Sequence, residues 1–340
     1  MRAPPPRITN LALLAALLVA FASGVGAVAA GTASGRWVAV AHGVVGVAVV
    51  LLVPWKSMIV RRGLRRPRAR RTRWVSLLLA ALAVTALLTG LGSASGLLVS
   101  VGGFHGIWLH VAAALALVPL VVWHVLARPA HASRMDLSRR TLLRAGTLVV
   151  AAGGVYVAIT AVVRAAGLPG ASRRFTGSYE TGSFDPAAMP TTSWIDDASP
   201  EVDPATWRLV VADADGEREL SLEELSRQDA RLRATLDCTS GWYAHQDWEG
   251  VPVAALVRNT GAAQSLYVHS TTGYGIRFPI GDLDRLLLAT RAGGAPLSVG
   301  HGFPARLVAP GRRGFWWVKW VDRIELGSTP WWWQPPFPVT

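Results

Sequence analysis

Five long apolar stretches fill the first half of the chain, and each is long enough to cross a lipid bilayer as a helix. Such a helix needs about 20 apolar residues. Gly102 and Gly103 separate the third stretch from the fourth and predict a tight hairpin between them. The sequence therefore predicts an all-α transmembrane bundle with five spans. These spans are residues 8–30, 37–60, 74–100, 104–127 and 141–166.

The net charge of +13 is unevenly distributed over the 340 residues. Residues 1–170 contain 18 Lys and Arg and one acidic residue, Asp136, whereas residues 171–340 contain 16 Lys and Arg and 20 Asp and Glu. The basic excess thus lies among apolar segments, so we expect the lipid bilayer as a partner and no nucleic acid. With 51% hydrophobic residues, the chain is also not disordered as a whole.

The arginines between the spans predict the orientation in the membrane. Residues 61–73 contain eight arginines, and the loop between the fourth and fifth spans contains Arg128, Arg134, Arg139 and Arg140. Loops rich in Lys and Arg remain in the cytoplasm. The N-terminus is therefore predicted on the cytoplasmic side of the membrane, and the residues after 166 are predicted on the opposite, extracytoplasmic side.

Residues 138–143, Ser-Arg-Arg-Thr-Leu-Leu, resemble a twin-arginine export signal before the fifth span. Such a signal is recognised by an export receptor and does not itself anchor the chain. It predicts export of a folded, cofactor-loaded domain to the periplasm. The alternative is that the two arginines only set the topology.

Four histidines lie in or beside the spans, where ligating residues indicate function. His110 and His124 are 14 residues apart, which places them within about 40° of one helix face, a spacing that resembles b-type membrane cytochromes. His42 and His110 are predicted at matching depth, as a haem iron held between two helices requires. We expect haem b ligated by His42 and His110, or otherwise histidines that only pack. His124 is a weaker candidate that lacks an opposite histidine, and His105 is predicted at the outer rim.

The second half has the alternating pattern of short β-strands, as in residues 207–211 and 266–270. Ser221 and Glu224 have the spacing of a capping box at a helix start. The predicted organisation is a transmembrane domain over 1–166, a linker over 167–178 and a mixed α+β, β-rich domain over 179–340.

Three stretches carry a family resemblance, namely residues 236–257 with the only cysteine, residues 268–283, and residues 298–326 with Gly-His-Gly-Phe-Pro-Ala-Arg. In this order they resemble the molybdopterin-binding domain of the sulfite oxidase family, which includes the catalytic subunit of methionine-sulfoxide reductase. The resemblance implies an oxidoreductase that carries a molybdenum–molybdopterin cofactor.

The resemblance also implies a role for individual residues. Cys238 falls at the position of the molybdenum ligand, and a soft thiolate suits that metal. Tyr274 falls at the active-site tyrosine, which could donate a hydrogen bond or a proton. By the same resemblance, His301, Arg306 and Lys319 fall at positions that hold the pterin and its phosphate. Cys238, Ser270 and Tyr274 complete the implied set of cofactor-binding residues.

Residues 239–242 depart from the animal and plant sulfite oxidases, because no arginine follows the cysteine. This departure favours a sulfoxide-like or small oxo substrate over sulfite, reduced with electrons from quinol through haem b. Trp242, His245 and Asp247 line the pocket or else pack elsewhere. The alternatives are a sulfite-type oxidase that delivers electrons to the membrane, or a haem-free anchored domain that binds a cofactor or partner. The expected partners are the quinone pool or another membrane carrier, and a small-molecule or oxidised-protein substrate.

Overall fold

The chain divides into two compact units in the computed structural model. One comprises Met1–Val28 and Ser34–Gly177, and the other comprises Ala29–Ala33 and Ser178–Thr340. The residues that the structure describes are 5–64, 73–102, 104–127, 133, 136, 138–192 and 198–334. Most of the predicted cytoplasmic arginine loop, together with Arg128 and Arg134, lies outside them.

The first unit contains five helices that are long and apolar enough to cross a membrane, as predicted. Many of their large apolar side chains point outward, such as Val150, which is 76% exposed. An apolar outer surface of this kind is compatible with a multi-pass membrane protein. The helices are α1 (Pro6–Ala29), α2 (Arg36–Leu64), α3 (Arg73–Ser95), α4 (Gly106–Ala127) and α5 (Arg139–Ala165).

The third span was predicted too long, because α3 ends at Ser95 and not at residue 100. Gly96 follows with φ +80°, a conformation that ends the helix although apolar residues continue. Strands β1 (Ser100–Val101) and β2 (Phe104–His105) then pair antiparallel, which confirms the hairpin. Phe104 is therefore a strand residue and not the first residue of the fourth helix, and Gly103 lies outside the described residues.

The fifth helix begins two residues before the predicted start, at Arg139. The hydroxyl of Ser138 caps it by accepting a hydrogen bond of 3.4 Å from the Thr141 amide. Both arginines of the export-like sequence thus lie in the first helical turn.

The second unit contains a six-stranded sheet whose hairpin presents Cys238. Strands β6 and β7 pair antiparallel with Asp237 opposite Tyr243, so residues 238–241 form the turn. Along the sheet the order is β11-β10-β7-β3, with β12 also on β10 and β6 also on β7. The strands are β3 (Tyr179–Glu180), β6 (Ala230–Asp237), β7 (Trp242–Pro252), β10 (Leu287–Ala292), β11 (Ala295–Pro296) and β12 (Arg306–Val308).

A five-stranded sheet completes this unit in the order β5-β4-β13-β8-β9. Its β13–β4 pair is parallel and its other pairs are antiparallel. Two short helices, α6 (Leu222–Ser226) and α7 (Val253–Leu256), make the domain mixed α+β and β-rich, as predicted. The strands are β4 (Arg208–Asp213), β5 (Gly216–Ser221), β8 (Ser265–Ser270), β9 (Gly275–Pro279) and β13 (Val321–Gly327).

The predicted capping box is confirmed at the start of α6. The Ser221 hydroxyl accepts from the Glu224 amide at 3.2 Å, and the Glu224 carboxylate accepts from the Ser221 amide at 2.7 Å. Large apolar side chains fill the core of the unit, among them Trp248, Phe278 and Trp317.

Candidate functional site

Cys238 lies in the turn between β6 and β7 and is 9% exposed. Its amide donates to the Trp242 carbonyl at 2.9 Å, and Gly241 closes the turn with φ +99°. The Ser240 hydroxyl donates to the Cys238 Sγ at 3.0 Å. The turn therefore fixes the sulfur and aims a hydroxyl donor at it.

A buried ion pair holds a second segment against Cys238. Asp237 and Arg313 form this pair, and both side chains are only 3% exposed. The Ser178 hydroxyl adds a hydrogen bond of 2.7 Å to the same carboxylate. A Cβ on Gly314 would lie 2.9 Å from the Cys238 Cα, so only glycine fits there.

Thr192 connects Cys238 to Lys319. Its hydroxyl lies 3.0 Å from the Ser240 hydroxyl, and its carbonyl accepts from the Lys319 ammonium at 2.8 Å. Lys319 donates a second bond of 2.8 Å to the Gly300 carbonyl. A short polar chain thus joins the predicted metal ligand to a predicted pterin contact.

His301, Arg306 and Lys319 meet at one glycine turn. Gly302 has φ +105°, and a Cβ there would lie 3.1 Å from the Arg306 Cβ and 3.0 Å from the Lys319 Cβ. The structure therefore brings together three residues that the sequence assigned to cofactor binding.

His301 is buried in this cluster. Its Nδ1 lies 2.8 Å from the Ser298 hydroxyl. Its Nε2 makes no hydrogen bond of standard geometry to the described residues, although the backbone of residues 189–190 is near. Burial, followed by the positive charges of Arg306 and Lys319, lowers the pKa of His301 to about 4. The ring is therefore neutral at physiological pH.

Arg306 is a buried cation, 2% exposed. It donates to the carbonyls of His301 at 3.1 Å and Trp317 at 3.4 Å, and its guanidinium lies 5.1 Å from the Trp248 ring centre. Burial lowers its pKa to about 10, and an electrostatic interaction with Cys238 opposes part of this shift. In the described part of the chain it pairs with no carboxylate, and its Nε has no hydrogen-bond partner.

Tyr274 lies in the turn between β8 and β9, and its hydroxyl donates to the Phe315 carbonyl. Phe315 directly follows the glycine that contacts Cys238, so Tyr274 leans on the same segment. Ser270 bonds within this turn, since its amide donates to the Tyr274 carbonyl at 2.8 Å and its hydroxyl lies 3.1 Å from that of Thr272. Ser270 thus supports the position of Tyr274.

The residues after Trp242 divide between the two faces of β7. Trp242 is buried and its indole donates to the Thr192 hydroxyl at 3.1 Å, beside the site. Asp247 lies on the opposite face and pairs with Arg233 at 2.7 and 2.9 Å. His245 lies on that outer face as well, where its Nδ1 is 2.7 Å from the Thr235 hydroxyl. The structure thus places only Trp242 toward Cys238.

Within the first unit, the structure brings His42 and His110 together. Their ring centres are 5.9 Å apart with an angle of 80° between the planes. His105 lies in β2, outside the helices, and His124 lies toward the other end of α4. Among the described residues no group of three or more His, Cys, Asp or Glu could hold a metal ion.

Asp237, Arg313, Ser178 and Thr192 were not predicted from the sequence. A charged residue directly before the only cysteine was an available signal for Asp237. Ser178 and Thr192 are distant in sequence and carry no local signal.

Known proteins with similar sequences support the assignment of this site to a molybdopterin cofactor. The family described as oxidoreductase molybdopterin binding domain matches residues 197–332. Mitochondrial sulfite oxidase from Rattus norvegicus is 28% identical over 166 residues, which cover 38% of this chain and 30% of that protein. The Mus musculus enzyme gives the same identity and coverage. The match thus spans about a third of the curated relatives.

A solved structure, the sulfane dehydrogenase SoxCD from Paracoccus pantotrophus, is 26% identical. The two structures align over 39% of this chain and 41% of the SoxCD chain, with a TM-score of 0.37. The match to the family model falls on the region that holds Cys238, Tyr274 and Arg306. Residues 197–332 of this chain therefore match the oxidoreductase molybdopterin binding domain, and the chain is similar to the sulfite oxidases.

Proposed function

We propose that this protein is a membrane-anchored molybdenum-cofactor oxidoreductase that reduces a sulfoxide-like or other small oxo substrate outside the cytoplasmic membrane. Its electrons come from the membrane, through a quinol or another carrier and haem b. The observation that carries the cofactor assignment is Arg306, a buried cation with no carboxylate partner in the described residues. A charge buried in this way is costly unless an opposite charge neutralises it.

The residues around Arg306 fit a molybdenum–molybdopterin cofactor. Cys238 supplies the soft sulfur ligand, while Arg306, Lys319 and the Nε2 of His301 supply donors for phosphate and pterin acceptors. The bound cofactor supplies oxygen-atom transfer coupled to electron transfer. The chain itself holds and orients this group and supplies protons.

Ser240 and Tyr274 are the residues of this chain to which we assign roles in the reaction. The Ser240 hydroxyl stabilises negative charge on the Cys238 sulfur through its hydrogen bond. Tyr274 donates its hydroxyl hydrogen to the carbonyl of Phe315, next to the glycine that packs on Cys238. Reduction of a sulfoxide to a sulfide takes two electrons from the membrane donor and two protons, and it releases one water. The role proposed for Tyr274 is to pass on one of these protons from its hydroxyl.

The charges around Cys238 favour a substrate without net charge. Arg313 is paired with Asp237, and Lys319 donates to two backbone carbonyls. Arg306 is assigned to the cofactor. A dianion such as sulfite would therefore add charge where the cations already have partners, whereas a sulfoxide is neutral.

The ring geometry of His42 and His110 supports a haem b in the membrane unit. His42 and His110 would hold the iron of this haem, and their ring centres lie 5.9 Å apart. The haem would connect the quinone pool to the molybdenum domain.

The arginine-rich loops favour an N-terminus inside the cytoplasm and a molybdenum domain outside it. Ser138 and the two arginines that follow fit twin-arginine export of the loaded domain. The partners in this proposal are the bilayer, the quinone pool, and a small-molecule or oxidised-protein substrate, with no nucleic acid.

One observation favours a second candidate, a sulfite-type oxidase that delivers electrons to the membrane. The curated relatives are named sulfite oxidases. A haem-free anchored domain that only binds a cofactor or a partner is the third candidate. Cys238 weighs against it, because binding alone does not require the metal ligand.

The test uses the full chain purified in detergent, with metal analysis and a reduced-minus-oxidised visible spectrum. We expect molybdenum near one per chain and a haem α-band. Dimethyl sulfoxide should then reoxidise haem that a quinol analogue has reduced, and Cys238→Ala should abolish this reoxidation while retaining the haem band. Reduction of oxidised haem by sulfite would establish the oxidase instead. Haem oxidation that proceeds equally without Cys238 would refute both mechanisms.

A further inference from the structure

Helices α1 and α3 carry the same short pattern at the level of His42 and His110. Residues 20–26 read Ala-Phe-Ala-Ser-Gly-Val-Gly, and residues 86–92 read Ala-Leu-Leu-Thr-Gly-Leu-Gly. Both fit Ala-x-x-Ser/Thr-Gly-x-Gly. In each case the next long helix along the chain carries one of the two facing histidines.

The alanine of each pattern binds the histidine of its partner helix. The Ala20 carbonyl lies 2.9 Å from the His42 Nδ1, and the Ala86 carbonyl lies 2.7 Å from the His110 Nδ1. Because a carbonyl only accepts, each Nδ1 carries the proton. Each neutral ring then has its lone pair on Nε2, the nitrogen available to a metal.

The first glycine of each pattern makes room for the ring. A Cβ on Gly24 would lie 3.1 Å from the His42 Cε1, and a Cβ on Gly90 would lie 2.9 Å from the His110 Nδ1. Both imidazoles therefore lie directly against the neighbouring helix backbone, which limits how each ring can turn.

We propose that α1–α2 and α3–α4 are two copies of one ligand-bearing helix pair, and that Ala20, Gly24, Ala86 and Gly90 are positioning residues for axial ligation of haem by His42 and His110. The inference rests on the haem assignment of the proposed function. It adds the residues that set the tautomer and orientation of both ligands.

The two copies differ at the hydroxyl residue. Ser23 Oγ lies 3.3 Å from the His42 Nδ1 and donates to the backbone carbonyls of Val19 and Ala20. Thr89 bonds the corresponding carbonyls of its own helix at 2.6 and 3.2 Å. Among the described contacts, the Ser23 hydroxyl lies near a ring nitrogen, whereas the Thr89 hydroxyl contacts only backbone carbonyls.

The experiment compares Gly24→Ala and Gly90→Ala with Gly46→Ala in the detergent-purified full chain. Gly46 is a matched control, since it lies in α2 and a Cβ there meets nothing within 4 Å. We expect haem content and the low-spin spectrum to fall several-fold in the first two variants and to stay at the wild-type level in the control. Gel filtration confirms that each variant is folded.

Ser23→Ala provides a second readout if a glycine variant does not fold. Without the Ser23 hydroxyl on the shared carbonyl, the Nδ1–H bond of His42 strengthens and its Nε2 becomes more basic. We expect a more negative haem midpoint potential than in the wild type, with a smaller shift for Thr89→Ala.

The outcomes separate this inference from the proposed function. If His42→Ala and His110→Ala lose haem while the glycine and serine variants keep the wild-type spectra and potentials, the positioning role is overturned. The haem assignment then remains intact. A wild-type protein with molybdenum and no haem would overturn both the inference and the haem path. The rings would then be an edge-on aromatic contact, and the molybdenum domain would still be supported.

Discussion

Asp237, which directly precedes Cys238 in the chain, forms a buried ion pair with Arg313. Removal of one partner from such a pair leaves the other charge without compensation and destabilises by about 3 to 5 kcal/mol. We expect Asp237→Asn to lower the denaturation midpoint of the second unit and its molybdenum content. Urea denaturation followed by tryptophan fluorescence measures the first, and metal analysis measures the second.

The matched control is Asp247→Asn, which breaks the exposed pair with Arg233 on the outer face of the sheet. Little change is expected there, because solvent screens exposed pairs. Equal losses in the two variants would contradict a special role for the buried pair.

Gly314→Ala tests the close approach to Cys238. The added Cβ would lie 2.9 Å from the Cys238 Cα, so the backbone must shift and carry the Phe315 carbonyl away from Tyr274. We expect loss of most bound molybdenum and of turnover. Gly281→Ala is the control, since a Cβ there meets nothing within 4 Å. Full activity in both variants would show that the approach is not needed.

Ser240→Ala removes the hydroxyl that donates to the Cys238 sulfur. A hydrogen bond to a charged group contributes about 1.5 to 3 kcal/mol. With this bond lost, the sulfur donates more electron density to the metal, so we expect a more negative molybdenum potential and a several-fold slower turnover at normal molybdenum content. Redox titration measures the potential. Ser221→Ala, at the distant helix cap, should change neither quantity.

The stability of the second unit should depend on the protonation of His301. Burial lowers its folded-state pKa from 6.5 to about 4. Between these values the unfolded chain binds a proton that the folded chain does not, so stability falls as pH falls through this window. His301→Gln should flatten that part of the stability–pH curve. His245→Gln, on the outer face of β7, should leave the slope unchanged.

The planes of the His42 and His110 rings lie at 80° to one another. Nearly perpendicular axial imidazoles leave two iron d orbitals close in energy, which makes the ferric low-spin signal strongly anisotropic. Electron paramagnetic resonance of the oxidised protein should show this signal. A weakly anisotropic spectrum would mean that the rings turn toward parallel when haem binds.

Local signals predicted local structure well. The Ser221–Glu224 box and the Gly102 hairpin depend on neighbours in the chain, and both are present. The end of α3 was misjudged, because Leu97 and Leu98 continue the apolar pattern past Gly96. An apolar composition indicates that a segment can lie in lipid, but it does not indicate where the helix ends. The positive φ of Gly96 ends α3 although the residues after it are apolar.

The candidate site was only partly predictable. Cys238, Arg306 and Lys319 lie in stretches that resemble a family, but Thr192 reaches the site only through folding. His245 and Asp247 follow Cys238 closely in sequence, yet the two-residue period of β7 turns them to the other face. Closeness to Cys238 in the sequence therefore does not predict on which face of the sheet a residue lies.

The solitary charge of Arg306 has a consequence for assembly. A domain with an uncompensated buried guanidinium is held below its full stability until an anion arrives, and whatever binds only the folded form then stabilises it by mass action. The cofactor would thus act as the counter-ion that completes folding. Empty chains would be the more readily unfolded ones and the first to be degraded, so that turnover of the protein itself would select for loaded molecules.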